Sequence, residues 1–88
     1  MNNKVLIKLI VPELDKTFDI FIPVNELVWR VKKLIVKSIS DLENFTVDSH
    51  LDFILLNKDN CNVYRNNDII INTDIRNGSE LVLISMMW

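Results

Sequence analysis

Eighty-eight residues, 49% of them apolar, suffice for one domain with one packed core and leave no room for a second, so residues 1–88 are read as a single domain. Ten basic and twelve acidic side chains give a formal charge of −2, which argues against nucleic acid as a partner, since that function normally needs a basic excess. The single cysteine, Cys61, cannot close an intramolecular disulfide, and no run approaches the roughly 18 apolar residues of a membrane span, so a cytoplasmic protein without direct membrane insertion is expected.

The run KVLIKLIV, residues 4–11, puts Val5, Ile7, Leu9 and Val11 on one apolar face and Lys4, Leu6, Lys8 and Ile10 on a mixed one. Period two with one greasy face is the pattern of a half-buried strand. Lys8 breaks the apolar run and Glu13 and Asp15 follow at once, so this is not read as a signal peptide. Pro12 to Lys16 has turn chemistry, because Pro12 cannot donate to a ladder and Asp15 can bond its own backbone. TFDIFI, residues 17–22, alternates again with Phe18, Ile20 and Ile22 inward, which completes an antiparallel hairpin.

Residues 25–39, NELVWRVKKLIVKSI, carry the one long helical period. On a wheel centred on Val31, the side chains of Leu27, Val28, Leu34, Ile35, Ser38 and Ile39 fall together as the sheet-covering stripe. Asn25 is the expected N-cap, Pro23 stands just ahead of it, and Lys37 suits the negative end of the helix. Residues 40–50 read as a polar connection whose Leu42, Phe45 and Val47 plug the end of the core.

LDFILLN, residues 51–57, is a third strand, with Leu51, Phe53 and Leu55 inward and Asp52, Ile54 and Leu56 outward. A tight turn at residues 57–60 leads to a short strand at residues 61–64, a second turn at 65–68 and an irregular crossing through Ile69, Ile70 and Ile71. Asn77 and Gly78 form a turn that tolerates positive φ, and residues 79–86 make the last strand, Leu81 and Leu83 inward, Val82 and Ile84 outward. The order hairpin, helix, strand, short strand, strand predicts an α+β β-grasp: a mixed four- to five-stranded sheet, later strands added on both sides of the hairpin, one helix packed across it.

Three segments carry a resemblance to ubiquitin-like proteins. Residues 16–22 are similar to the second ubiquitin strand; Val28, Val31, Lys32 and Ile35 match the spacing of that fold's helix core and its buried helix lysine; and residues 74–84 are similar to its last turn and strand. Within the superfamily the chain resembles the YukD/EsaB family of small bacterial proteins associated with type VII (WXG100) secretion. That likeness rests on Ile22-Pro23 before the helix, on residues 55–59, and on Ile75 and Asn77-Gly78 before the last strand. It implies a non-conjugated regulatory module whose partners are proteins of the secretion machinery, which could recruit it to the inner face of the membrane. The alternatives are an adaptor or scaffold unrelated to secretion and a covalently conjugated modifier. Conjugation needs a flexible Gly-Gly tail, and residues 85–88 read Ser-Met-Met-Trp, which argues against it.

The residues offer no catalytic constellation. His50 stands alone in a connection, Cys61 has no basic neighbour to lower its pKa, and one glycine cannot build a phosphate loop. No enzyme, cofactor or metal is therefore expected. The outward faces say more: Ile54, Leu56, Val82 and Ile84 lie on strands that neighbour each other in a β-grasp, and Leu14, Met86 and Trp88 border them. An exposed apolar patch of that size marks a protein-binding surface, either for a partner or for a second copy in a homodimer. Trp29, Lys33 and Val36, flanked by Lys32 and Lys37, project from the opposite side of the helix as a second candidate surface.

Overall fold

Strands β1 (Lys4–Val11) and β2 (Lys16–Pro23) pair antiparallel over their full length, from Lys4 opposite Pro23 to Val11 opposite Lys16, in a computed structural model that describes residues 3–44 and 52–86. The hairpin is closed by a 3₁₀ turn, Pro12–Leu14, and by Asp15 in the left-handed region at φ 52°, whose N–H donates to the Pro12 carbonyl at 3.0 Å. Asp tolerates that conformation better than most residues.

Helix α1 (Val28–Glu43) starts later and runs further than the periodicity predicts. Asn25 is not its N-cap; that position falls to Leu27, which has no capping side chain. The first-turn donors are satisfied from elsewhere in the chain: Val28 N–H donates to the Asp68 carbonyl at 2.9 Å and Trp29 N–H to that of Asn66 at 3.2 Å. Past Ile39 nothing in the sequence breaks the helix until Asn44, at φ 55°, supplies the left-handed stop and returns its N–H to the Ser40 carbonyl. Leu42 therefore sits on the last helical turn, 69% exposed, and is no core plug. Phe45, Val47, His50 and Leu51 lie outside the described residues.

The phase of the helix also differs. Val28, Val31, Lys32, Ile35 and Ile39 are buried, so the inward stripe is rotated towards Lys32, and Leu34 and Ser38 face outward. Lys32 does not flank the outer surface: its ammonium donates to the Phe53 carbonyl at 2.7 Å.

Strands β3 (Asp52–Asn57) and β4 (Glu80–Met86) complete a four-stranded sheet of order β2-β1-β4-β3. β4 runs parallel to β1 and β3 antiparallel to β4, so both later strands lie on the β1 side of the hairpin rather than on either side of it. Residues 61–64 contribute one isolated bridge, Val63 to Leu56, and not a strand. The inward faces predicted by parity supply the core: Ile7, Leu9, Val11, Ile22, Leu55, Leu81 and Leu83 are buried with the helix stripe, and Tyr64, Ile70 and Ile75 seal its lower edge. At about 1.5–3 kcal/mol per fully buried large apolar side chain, this is the main favourable term of folding.

Candidate protein-binding face

The sheet has one face under α1 and one without a covering element among the described residues. Period two decides which residues reach the open face; register decides which of them meet. Ile54 stands directly opposite Ile84, and Leu56 opposite Val82, across the antiparallel β3–β4 pair. On the other side of β4, the parallel register brings Ile10 of β1 beside Val82. The result is two adjoining apolar rows, Leu56–Val82–Ile10 and Ile54–Ile84, with exposed Val63 bridged to Leu56 at one margin.

Polar residues frame the rows. Lys8 lies between Asp19 and Glu80 in the next register position, and Lys58 reaches Glu80 at 3.5 Å. Beyond that charged row, Leu6 and Phe21 form a separate cross-strand apolar pair, Phe21 60% exposed. At the other end, Glu13 in the hairpin turn accepts from both the N–H and the hydroxyl of Ser85. β1 has ended by this point, so the Glu13 carboxylate caps a β4 donor that no strand could reach and steadies Ile84 beside it.

The sequence-predicted quartet of Ile54, Leu56, Val82 and Ile84 is thus brought together. Met86 is half-buried at the end of β4, opposite Asp52, and extends the same strand. Leu14 does not join the patch: it is half-buried and packs against the core from the 3₁₀ turn. Trp88 lies outside the described residues. Ile10 and Val63 were missed. Parity alone put Ile10 on the mixed face of β1, but which β4 residue it meets depends on a pairing between the first and last strands that no local pattern announces.

A polar network holds the far end of β3. Tyr64, 5% exposed, donates its hydroxyl to Asp74 Oδ1 at 2.6 Å and accepts from Asn57 Nδ2 at 3.2 Å. Burial, with the Asp74 carboxylate beside it, pushes the Tyr64 phenol up from 10.0 to about 12. A raised pKa means that the folded state holds the proton more tightly than the unfolded chain, so this contribution is complete below pH 10.0 and is lost as pH rises towards 12. Tyr64→Phe should cost about 1–2 kcal/mol at neutral pH and flatten the alkaline loss of stability relative to the parent, as urea unfolding between pH 9 and pH 12 would measure.

On α1, Trp29 is half-buried beside two cations, with the Arg30 guanidinium carbon 5.6 Å and Lys33 Nζ 5.3 Å from its ring centroid. Val36, predicted beside it, is half-buried and packed on the core. Among the described residues no cluster of three or more His, Cys, Asp or Glu side chains could hold a metal ion, and no helix is long and apolar enough to cross a membrane.

No protein-family model and no curated protein matches this sequence. Solved structures do. A chain of the MycP5-free ESX-5 inner membrane complex, State II, superposes over 97% of this chain with a TM-score of 0.77 at 14% identity, and the match spans 21% of that longer chain. The N-terminal ubiquitin-like domain of the 4931431F19Rik protein matches 100% of this chain and 80% of its own, TM-score 0.68, 18% identity. A structure described as molecular mimicry of SUMO in DNA repair matches over 94% of this chain and 92% of its own, TM-score 0.64, 11% identity. At these identities the likeness is one of fold, and with the helix laid across a mixed sheet of this order, the chain has the ubiquitin-like α+β β-grasp fold.

Proposed function

We propose that the chain is a non-conjugated, YukD/EsaB-like bacterial module that regulates a type VII secretion machine by binding one of its protein components through the Ile54–Ile84 and Leu56–Val82–Ile10 rows. It acts by association and not by catalysis, on the cytoplasmic side. The observation that carries this reading is the apolar grid itself: cross-strand pairs held in register on a face that α1 leaves uncovered, framed by charged residues. Apolar centre and polar rim is the anatomy of a protein interface. Support for the secretion setting comes from the sequence likeness to YukD/EsaB proteins and from the fold likeness to a chain of the ESX-5 inner membrane complex.

Capture experiments test it. The parent chain should retain a defined secretion component from its own cell, and Ile84→Asp should weaken capture at least about 30-fold, the effect of losing a central interface residue worth about 2 kcal/mol. Ile84 is 37% exposed, so the variant should stay folded. Undiminished capture by both Ile84→Asp and Ile54→Asp would refute the assignment of this face. The fold likeness to two ubiquitin-like structures whose descriptions do not mention secretion favours a second reading, an adaptor for other proteins, and a captured partner outside the secretion machine would select it.

A further inference from the structure

We infer that the Trp29 face of α1 is a second docking site, for an acidic segment of a partner protein, in which a partner carboxylate takes the place on Arg30 that Glu26 now holds. The argument starts from charge. Residues 29–37 contain Arg30, Lys32, Lys33 and Lys37 and no acid, so a chain of net charge −2 carries four of its ten cations within nine residues, with Glu26 reaching in from the preceding turn. Lys32 is buried, which leaves Arg30, Lys33 and Lys37 on the exposed side. The loop of residues 65–68 lies against the first turn of the helix, where the Asn66 carbonyl accepts from Trp29 N–H and that of Asp68 from Val28 N–H, so it brings one cation, Arg65, and one acid, Asp68, to the margin of the group. Lys33, Lys37 and Arg65 have no ion-pair partner among the described residues.

Trp29 sits within this group with two cations over its ring at 5.6 and 5.3 Å, which holds its indole in place. A flat aromatic surface beside two cations suits a glutamate or aspartate side chain: its methylene packs on the ring while its carboxylate bonds the guanidinium and the ammonium. The chain already shows one such contact. Glu26 Oε2 lies 3.4 Å from Arg30 NH1, an exposed i,i+4 pair long enough to be weak. It occupies Arg30 without engaging Lys33 and is readily exchanged for an external acid.

Charge also selects the occupant. The basic group is local and the rest of the molecule carries a −6 excess, since six cations and twelve acids lie outside residues 29–37. An extended polyanion, whether an anionic bilayer or a nucleic acid, would meet that excess, whereas a short acidic peptide lies over α1 alone.

The probe is an acetylated and amidated peptide of alternating glutamate and glycine, titrated into the full chain while the Trp29 indole N–H is followed by NMR. Saturable shifts at Trp29, Arg30 and Lys33 are expected, weakening as ionic strength rises from about 10 mM to about 100 mM and the Debye length falls from about 30 Å to about 10 Å. Glu26→Gln should tighten binding about twofold by freeing Arg30, and the Arg30→Glu, Lys33→Glu double variant should weaken it at least about tenfold. Should the double variant melt early, Arg30→Gln alone, with a loss of about threefold, replaces it. Ile84→Asp should bind the peptide as the parent does, which separates this site from the sheet face. No saturable shift at Trp29, no gain from Glu26→Gln, or chain that sediments with phosphatidylserine vesicles yet ignores the peptide would each overturn the inference.

Discussion

Val31→Asp should leave the chain unfolded at 25 °C, whereas Leu34→Asp, one helical turn along the same wheel, should fold with a melting temperature close to that of the parent. Val31 is 0% exposed at the centre of the stripe that α1 lays on the sheet and belongs to the same core cluster as Ile7, Leu9, Ile35 and Leu81. The one buried cation nearby in sequence, Lys32, is engaged with the Phe53 carbonyl, so a carboxylate in this apolar site must be buried unpaired or protonated at a cost of several kcal/mol. The lost valine adds about 2 kcal/mol of transfer free energy. Small domains have about 5–15 kcal/mol in total, and one of this size lies near the lower end, so the sum removes most or all of it. Leu34 is 50% exposed, and an aspartate there reaches water directly. Far-UV circular dichroism and amide dispersion in the proton NMR spectrum distinguish the outcomes; an unfolded Leu34→Asp would mean that the helix is phased as the apolar pattern alone suggests, and a folded Val31→Asp would mean that Val31 is not at the centre of the core.

That pair of substitutions also marks how far the sequence could be read. Strand parity was legible almost everywhere, because a period of two admits only two answers and Ile7, Leu9, Leu55, Leu81 and Leu83 are apolar on one of them. Helix phase was less so. Polarity excluded Lys32 from the stripe and admitted Leu34, and only the resemblance to ubiquitin-like proteins pointed to a buried lysine there; the stem is apolar and its ammonium has a carbonyl to meet, a partner supplied by a strand 21 residues away. The N-cap was misplaced at Asn25 for a related reason: the carbonyls of Asn66 and Asp68 do the capping from a distant loop. The binding face was half legible. Ile54, Leu56, Val82 and Ile84 followed from parity, but Ile10 entered through the β1–β4 register, and Leu14 left because the 3₁₀ turn folds it onto the core. The Arg30–Glu26 pair carried an i,i+4 signal that polarity counting passed over.

Lys32→Ala should destabilise the domain by about 2–4 kcal/mol and loosen β3 specifically, although Lys32 touches no residue of the binding face. β3 is an edge strand, and Phe53 turns its backbone groups away from β4. Its N–H is satisfied by Asp52 Oδ1 at 2.9 Å, and its carbonyl by the Lys32 ammonium at 2.7 Å. Further along the same edge, the Leu55 carbonyl accepts from Tyr64 N–H at 3.0 Å and Asn57 N–H donates to the Asn62 carbonyl at 2.9 Å. The edge that could otherwise recruit a foreign strand is closed from Phe53 to Asn57 by one lysine and one loop. Alanine removes both the charge-assisted bond and three methylenes of packing, each contribution about 1–2 kcal/mol. Lys32→Met keeps most of the packing and loses only the bond, so it should fall between the parent and Lys32→Ala, with a melting temperature about 4–8 °C below the parent for each kcal/mol lost. Hydrogen exchange should accelerate in β3 before it does in the β1–β2 hairpin. Because Ile54 follows Phe53 directly, the Ile54–Ile84 row loosens with it, and Lys32→Ala should lose partner affinity while presenting an unaltered apolar surface. A Lys32→Met variant as stable as the parent would show that the stem, and not the bond to Phe53, closes the edge.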